Sequence, residues 1–327
     1  PELLIAKHYG TESVIGIDVG GQTTKCGVVD ARGTVLAQTV IRSDSYTDVE
    51  PYIGELSAAL KKIIADANAE GQIRGIGVGA PNANYYTGEV ENAVNLSWGR
   101  SGAIPFAKML SEAMGGIPVT LTNDANAAAM GEMTYGVARG MKNFIMITLG
   151  TGVGSGIVIN GEVVYGHDGF AGELGHTTIV RHNGRRCNCG RTGCLETYCS
   201  AIGVARTARE WLDMSDQPSS LRSLDTITSK DVYEAAKEGD ALAIRIFEYT
   251  GTLLGEAFAD FIAFSAPEAI VLFGGLARSK EFLTEPIFRS MNDNVLSLWK
   301  NKVKLVYSQL KESDAAILGA SALAWER

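Results

Sequence analysis

Two stretches of the chain share one pattern, in which a β-rich run, a glycine-rich turn and a second β-rich run follow one another. They are residues 17–30, IDVGGQTTKCGVVD, and residues 147–160, ITLGTGVGSGIVIN. Any two glycine-bearing hairpins look alike, so one short match does not establish a duplication. The same order of strands, helix and strand follows each stretch, however, which favours two similar halves. The pattern therefore predicts an α/β fold of two domains facing each other across a cleft, a common place for ligands.

Hydrophobic spacing predicts the individual elements. Apolar runs indicate strands at 14–19, 27–30, 34–41, 73–81, 118–124, 144–150, 156–161, 162–166, 268–275 and 303–308. Helical spacing indicates helices at 52–71, 106–114 and 314–325, and a helix-rich region at 202–266 that a polar loop at 214–225 interrupts. Thr228 and Asp231 are the residue types of an N-terminal helix cap.

Charge and composition exclude several classes of protein. The net charge is −8 and the 29 lysines and arginines form no basic run, so nucleic-acid binding has no electrostatic support. No segment approaches the roughly 18 uncharged apolar residues that span a bilayer, and the start of the chain does not have the pattern of a signal peptide. Five cysteines are an odd number in a chain of 327 residues, which predicts a protein of the reducing cytoplasm.

The glycine-rich turns are candidate phosphate sites, because residues without Cβ let backbone N–H groups approach an anion. Asp18 precedes Gly20 and Gly21 and suits a hydrated magnesium ion, while the hydroxyl groups of Thr23 and Thr24 follow. The turn at 150–156 and the glycines at 274–275 repeat the arrangement. Neither a dinucleotide fingerprint nor a Walker loop fits these spacings. Either turn alone is equally consistent with a plain hairpin, and only the set favours phosphate binding.

Asp124 lies where a predicted strand gives way to an alanine-rich helix. A cap is one interpretation, since Asp and Asn are favoured at helix N-termini. The other is a general base, because Asn123, Asp124 and Asn126 crowd together beyond what one cap needs. From spacing alone the cap is slightly favoured.

Three of the five cysteines lie within eight residues, at Cys187, Cys189 and Cys194, and His176 precedes them. Three thiolates and one imidazole make the closed shell of a structural zinc site. His182 is an alternative fourth ligand that the spacing does not exclude. The charged surroundings of the cluster disfavour three buried structural thiols, whereas Cys26 and Cys199 have the context of small core residues.

These motifs together resemble the ROK (repressor, open reading frame, kinase) sugar kinases of the actin and hexokinase superfamily. The segment 187–196, CNCGRTGCLE, is similar to the family's C-x-C-G-x-x-G-C-x-E signature at every fixed position, and 172–176, GELGH, to its E-x-G-H element. Residues 17–21 and 147–156 resemble its two phosphate motifs, and 270–275 its adenosine motif. Residues 123–132 and 314–320 resemble its two connecting helices.

The resemblance implies two ribonuclease H-like ATPase domains, at 1–122 and 123–312, with a closing helix at 313–327 packing on the first. It implies that Asp124 is the catalytic base and that Asn95, Asn123, Asp124, Glu173, His176 and Glu196 bind the sugar. The implied nucleotide-binding residues are Asp18, Gly20, Gly21, Gln22, Thr23, Thr24, Thr151, Gly152, Gly274 and Gly275. The implied ligands of structural zinc are His176, Cys187, Cys189 and Cys194. ATP and Mg²⁺ are the implied co-substrate and cofactor, and a homodimer is expected by analogy.

Two positions depart from the family pattern. Gln22 stands where a threonine is usual, so one hydroxyl group near the phosphates is missing. Asn82 stands where a glycine is usual, which bears on the shape of the sugar pocket and on the choice of substrate. The expected activity is phosphorylation of the 6-hydroxyl of glucose, and the alternative is an N-acetylmannosamine or N-acetylglucosamine kinase. A sugar-sensing repressor is disfavoured, because the phosphate motif begins at Ile15 and leaves no room for a helix-turn-helix. A non-enzymatic ATPase switch is disfavoured by the sugar-binding acids and the zinc loop.

Overall fold

The computed structural model describes residues 10–326 and is a mixed α/β structure with helices flanking its sheets. Residues 1–9 and 327, which the sequence analysis assigned to the first domain and its closing helix, lie outside the described residues. By their internal contacts the residues form two compact units. The first contains the described part of 1–141 with 162–172 and 309–326, and the second contains 142–161 and 173–308. The domain boundary at residue 122 and the cleft stay predictions.

The strands in chain order are β1 (Ser13–Val19), β2 (Thr23–Asp30), β3 (Val35–Arg42), β4 (Ile73–Gly79), β5 (Ala83–Asn84), β6 (Glu89–Glu91), β7 (Ala103–Ile104), β8 (Val119–Thr122), β9 (Phe144–Leu149), β10 (Val153–Ile159), β11 (Glu162–Val163), β12 (Ala269–Phe273) and β13 (Lys304–Tyr307). The helices are α1 (Val49–Asp66), α2 (Phe106–Ala113), α3 (Asp124–Tyr135), α4 (Leu195–Cys199), α5 (Ala201–Met214), α6 (Ser229–Lys237), α7 (Ala241–Ser265), α8 (Lys280–Asn294) and α9 (Glu312–Ala322). No helix within residues 10–326 combines the length and the apolar character needed to span a bilayer.

The first unit is built on a sheet of order β3-β2-β1-β4-β8. Strands β1 and β2 form an antiparallel hairpin, whereas β1, β4 and β8 run parallel. The central strand β1 is buried at every residue except Asp18, as expected for a strand covered on both faces. On one face, Ile15 and Ile17 share a core with Tyr52, Leu56 and other buried residues of α1 and α2.

The second unit repeats the order β2-β1-β4-β8 of the first sheet with its own strands β10-β9-β12-β13. Again the first two strands form an antiparallel hairpin, and β9, β12 and β13 run parallel. Helices α5 to α8 supply its core, in which Ile145 and Ile147 belong to the same cluster as Phe258 and Ile287. The repeated strand order confirms that the chain consists of two similar halves.

The boundaries of several elements differ from the sequence-based ones. Strands β2 and β10 begin at Thr23 and Val153, four and three residues earlier than predicted, because polar Thr24 and Ser155 are buried within the ladders. The cap at Thr228 is confirmed, since its hydroxyl oxygen accepts from the Asp231 N–H while the Asp231 carboxylate accepts from the Thr228 N–H.

Helix α9 packs directly on the backbone of the first sheet. A Cβ atom added at Gly16 would lie 2.1 Å from the Ile317 carbonyl oxygen, and one added at Gly77 would lie 1.8 Å from the Ala320 carbonyl oxygen. Real atoms cannot approach so closely, so the absence of side chains at these two positions allows the helix to rest on β1 and β4.

Replacement of Gly77 by alanine is expected to lower the free energy of unfolding by about 1–3 kcal/mol, because α9 must shift to make room for the new methyl group. Urea denaturation measures the loss. Gly54→Ala is the matched control, since a Cβ there meets nothing within 4 Å. Gly54 lies inside α1, so its replacement should stabilise the protein by roughly 0.5–1 kcal/mol. Equal stability of the two variants would contradict the close contact between α9 and β4.

Candidate active-site residues and metal cluster

The first group of candidate residues lies where parallel strands of the first unit end. Asp18 is paired with Gly79 across β1 and β4, and Gly79 with Thr122 across β4 and β8. Asp124 follows β8 as the first residue of α3. A Cβ atom at Gly79 would lie 3.3 Å from the Asp124 Oδ1 atom, so the carboxyl group of Asp124 occupies the space beside the end of β4. The sheet thus brings Asp18 and Asp124 to the same edge.

The structure distinguishes the helix cap from the neighbouring carboxylate. Asn123 has extended backbone angles, and its side-chain oxygen accepts a hydrogen bond from the Asn126 N–H at 2.8 Å. Asn123 is therefore the N-cap of α3, and the capping interpretation of Asp124 is wrong. The Asp124 carboxylate is therefore not required to cap the helix.

The environment of Asp124 favours its protonated form. Desolvation raises the pKa of its carboxyl group to about 7, and the negative charge of Asp18 contributes in the same direction. The Asp124 residue is exposed at its own surface, and the desolvation comes from the protein atoms that surround its carboxyl group. Burial also raises the pKa of Asp18, an effect that the positive charge of Lys25 partly offsets. A carboxyl group that titrates near neutral pH is suited to accept a proton at that pH.

The first glycine turn is tightly closed and lies against the loop that carries Asn95. The Gly20 N–H donates to the Thr23 carbonyl at 2.9 Å, and a Cβ at Gly21 would lie 2.8 Å from the Asn95 carbonyl oxygen. The side chains of Gln22 and Asn95 are exposed and Thr23 is half-buried. The turn predicted for phosphate and the asparagine predicted for sugar are thus neighbours.

The Thr24 hydroxyl cannot serve a phosphate as the sequence suggested. Its side chain is completely buried, and its oxygen lies 2.7 Å from the Ser43 hydroxyl and 2.5 Å from that of Tyr52. Thr24 therefore stabilises the turn through its buried hydrogen bonds, and only its backbone could contribute to an anion site.

Asn82 adopts the conformation for which glycine is usually needed. Its φ is +54°, and its amide nitrogen donates to the carbonyl oxygens of Glu91 and Asn92 at 2.9 and 3.0 Å. Asparagine tolerates this left-handed region better than most residues. The departure from the family's glycine at this position is therefore compatible with the same backbone course, and the side chain is held by its own loop.

The second glycine turn, in the second unit, contacts the segment that holds the predicted sugar-binding acids. A Cβ at Gly175 would lie 2.1 Å from the Val153 carbonyl oxygen, and the Leu174 N–H donates to the Ser155 hydroxyl at 3.0 Å. The 3-10 turn at 174–176, which Glu173 precedes, is therefore fixed on β10. The Glu196 carboxylate accepts a hydrogen bond from the Val153 N–H at 2.9 Å. Thr151, between the two glycines of the turn, is exposed.

The glycines predicted for the adenosine motif lie beside this turn. Gly274 has a φ of +115°, and a Cβ there would lie 2.4 Å from the Leu149 carbonyl oxygen. A Cβ at Gly275 would meet nothing within 4 Å, so its Cα faces open space. Leu149 is the last residue of β9, so the ends of β9 and β12 meet at one edge of the second sheet.

The cysteine and histidine residues form one compact cluster. The candidate ligand atoms of His176, Cys187, Cys189 and Cys194 all lie within 4.8 Å of one another. The Cys187 Sγ is 3.6 Å from the His176 Nδ1, and the Cys189 and Cys194 sulfurs are 3.6 Å apart. Ligands about 2.3 Å from a tetrahedral ion stand about 3.8 Å apart, so this spacing fits such an ion.

The chemistry of the cluster also fits a metal. In the part of the chain that the structure describes, the cluster contains His176 and does not contain His182. A hydrogen bond from the Arg191 backbone lowers the pKa of the Cys189 thiol to about 7, whereas burial raises that of Cys194 to about 12. A bound cation would stabilise the thiolate form of Cys194. Cys26 and Cys199 are fully buried, as predicted.

Sequence reasoning missed Arg185 as a support of the cluster loop. Its side chain is buried and donates to the carbonyls of Thr197 and Gly203, to the Thr207 hydroxyl and to the Glu210 carboxylate. Arg185 belongs to the charged surroundings that disfavoured buried structural thiols, and no local pattern distinguishes it from the exposed Arg186 beside it.

Several known proteins are similar to the chain over most of its length. Residues 14–327 match the ROK family. The chain is 38% identical over 280 residues to a glucokinase of Halalkalibacterium halodurans, which covers 84% of this chain and 83% of the relative. It is 33% identical over 321 residues to a glucokinase of Thermotoga maritima, covering 96% of this chain and 98% of the relative.

A solved structure and a regulator extend the comparison. The crystal structure of a ROK family glucokinase from Streptomyces griseus in complex with glucose and AMPPNP has a TM-score of 0.76 and 31% identity, covering 96% of this chain and 100% of that chain. A xylose repressor of Caldicellulosiruptor bescii is 28% identical and covers 98% of this chain and 80% of the repressor.

The protein is a sugar kinase with the actin-like ATPase fold, which confirms the fold class that the family resemblance implied. The chain belongs to the ROK family. The predicted enzyme class, an ATP-dependent hexose kinase, is confirmed with it.

Proposed function

We propose that the protein transfers the γ-phosphoryl group of ATP to the 6-hydroxyl of a hexose, with glucose as the preferred substrate. The observation that carries this proposal is the Asp124 carboxyl group, which is not used as a helix cap and has a pKa raised to about 7. The relatives named glucokinase, and the S. griseus structure with glucose and AMPPNP, support the choice of sugar and nucleotide.

In the proposed reaction, the Asp124 carboxylate accepts the proton of the sugar hydroxyl as that oxygen attacks the γ-phosphorus. The new O–P bond forms while the bond between the γ-phosphorus and its bridging oxygen breaks, which releases ADP. Glu173, His176 and Glu196 bind the ring hydroxyls, and Asn95 and Asn123 complete the sugar contacts. The two glycine turns, with Gly274 and Gly275, bind the nucleotide.

Two metals have suitable residues in this proposal. Asp18 offers a carboxylate oxygen beside the first turn, the type of ligand that Mg²⁺ takes, and the bound ion would neutralise charge on the phosphates. The cluster of His176, Cys187, Cys189 and Cys194 would hold structural Zn²⁺ and fix the loop between Glu173 and Glu196. Because the His176 Nδ1 faces the cluster, its Nε2 remains for a sugar hydroxyl.

An ADP-release assay over glucose, mannose, N-acetylmannosamine and N-acetylglucosamine tests the proposed substrate. We expect kcat/KM to be highest for glucose, and at least tenfold above the N-acetylated sugars, because an acetamido group at C2 needs a larger pocket than a hydroxyl. A higher value for an N-acetylhexosamine would select the alternative kinase. Absence of turnover with all four sugars, together with sugar binding, would favour a sensor such as the repressors among the relatives.

We also propose that the protein lies in the cytoplasm and forms a homodimer. Sedimentation analysis of the purified chain measures its oligomeric state.

A further inference from the structure

The Glu196 carboxylate lies directly on the second glycine turn. Its Oε1 atom accepts the Val153 N–H at 2.9 Å, and a Cβ added at Gly152 would lie 2.4 Å from that oxygen and 3.0 Å from the Cδ atom. Gly152 does not have a positive φ. The need for glycine at this position therefore comes from the carboxylate that rests on it, and not from an unusual backbone conformation.

The polypeptide around Glu196 holds the carboxylate near this place. The Ala201 N–H donates to the Gly150 carbonyl oxygen at 2.8 Å, which ties the start of α5 to the same turn. Cys194, two residues before Glu196, belongs to the cysteine and histidine cluster. With the chain fixed on both sides, the carboxylate can rotate but cannot leave the neighbourhood of the turn.

A carboxylate at this turn has a consequence for any phosphate that binds there. Both groups are anions, and both accept hydrogen bonds from the same backbone N–H groups. The carboxylate therefore weakens phosphate binding by competition and by charge repulsion. A sugar hydroxyl that donates to Glu196 would draw charge away from the turn and reduce this opposition.

We propose that Glu196 makes nucleotide binding depend on sugar binding, by acting as a resident anion on the second phosphate turn until a sugar engages it. The inference rests on the proposed function, in which this turn binds phosphate and Glu196 binds sugar. By linkage, the factor by which sugar strengthens nucleotide binding equals the factor by which nucleotide strengthens sugar binding. The residue would thus couple the two substrates before any chemistry.

Calorimetric titration with Mg-AMPPNP tests this coupling, because the analogue reports binding without turnover. Wild type, Glu196→Gln and Glu173→Gln are each titrated with and without glucose. For wild type, glucose should strengthen AMPPNP binding. Glu196→Gln should bind AMPPNP without sugar roughly tenfold more tightly than wild type, within the usual range of coupling energies, and glucose should then add little.

Glu173→Gln is the matched control, because Glu173 is also a predicted sugar ligand, whereas it is the Glu196 carboxylate that accepts the Val153 N–H of the turn. It should weaken glucose binding and leave the sugar-free affinity for AMPPNP at the wild-type value. Thermal melting and zinc content confirm that each variant is folded. If Glu196→Gln does not fold, Glu196→Asp replaces it, since withdrawing the charge by one methylene should also tighten sugar-free binding.

The outcomes separate this inference from the function on which it rests. If wild type binds both ligands and the Glu196 variant binds sugar-free AMPPNP no more tightly, the resident-anion role is wrong while the kinase proposal stands. If both glutamine variants tighten nucleotide binding equally, the effect is one of general charge, and the specific role is again wrong. If wild type binds neither ligand, the proposed function itself fails.

Discussion

Asp124→Asn is expected to reduce kcat by roughly 10²–10⁴-fold, the usual contribution of a general base. The amide has nearly the shape of the carboxyl group but cannot accept the proton of the attacking hydroxyl. Because Asn123 provides the helix cap, the substitution leaves the start of α3 intact. Steady-state assays with the preferred sugar measure the loss, and Asp66→Asn, at the exposed end of α1, is the control. Near-normal turnover of the Asp124 variant would exclude this residue as the base.

The pH dependence gives a second readout of the same residue. Since the base acts in its deprotonated form and burial raises its pKa to about 7, kcat/KM should fall about tenfold per pH unit below that value. Asp18→Asn removes a negative charge near Asp124 and should move this acid limb to lower pH. A limb that remains in place in Asp124→Asn would assign it to another group.

The raised pKa of Asp124 also predicts how Asp124→Asn affects stability. The Asp124 pKa is higher in the folded chain than in the unfolded one, so the folded state binds more protons between the two values. The contribution of the Asp124 carboxyl group to the stability of the fold therefore becomes unfavourable as pH rises from about 4 towards 7. This window lies between the usual aspartate pKa and the raised one. Asp124→Asn should thus be at least as stable as wild type at neutral pH, which separates lost activity from lost folding.

The sequence could predict the two sheets because their strands are apolar runs interrupted by glycine turns. It could not place the starts of β2 and β10, because Thr24 and Ser155 resemble turn residues but are buried by the neighbouring structure. Likewise, local preferences treat Asn123 and Asp124 as equal helix caps. Only the backbone course after β8 decides that Asn123 caps the helix.

Contacts between distant parts of the chain were also beyond the sequence pattern. The cysteine cluster was predictable, since the spacing of its thiols and the family signature lie within one segment. The hydrogen bond between Val153 and Glu196 joins residues 43 positions apart and has no local signal. The burial of Arg185 depends in the same way on α5, whose packing is determined by the second unit as a whole.

Cys189→Ser is expected to remove bound zinc and to lower the free energy of unfolding of the second unit by on the order of 4 kcal/mol, as loss of a structural metal does. Cys189 is the exposed cysteine of the cluster, whereas Cys187 and Cys194 are buried. Its replacement therefore disturbs little apolar packing, and the loss reports the metal rather than a cavity. Metal analysis should find one zinc per wild-type chain and none in the variant.

The control for this loss is His182→Ala, since His182 is exposed and lies outside the cluster. It should retain zinc and stability, because the His176 Nδ1 already faces Cys187. Hydrogen exchange over residues 173–196 should rise in Cys189→Ser alone, since a metal that joins His176 to the three cysteines restrains the whole segment. The Arg185 hydrogen bonds do not involve the metal and should keep α5 protected. Wild-type protein without zinc but with a protected segment would assign the rigidity of this loop to Arg185 instead.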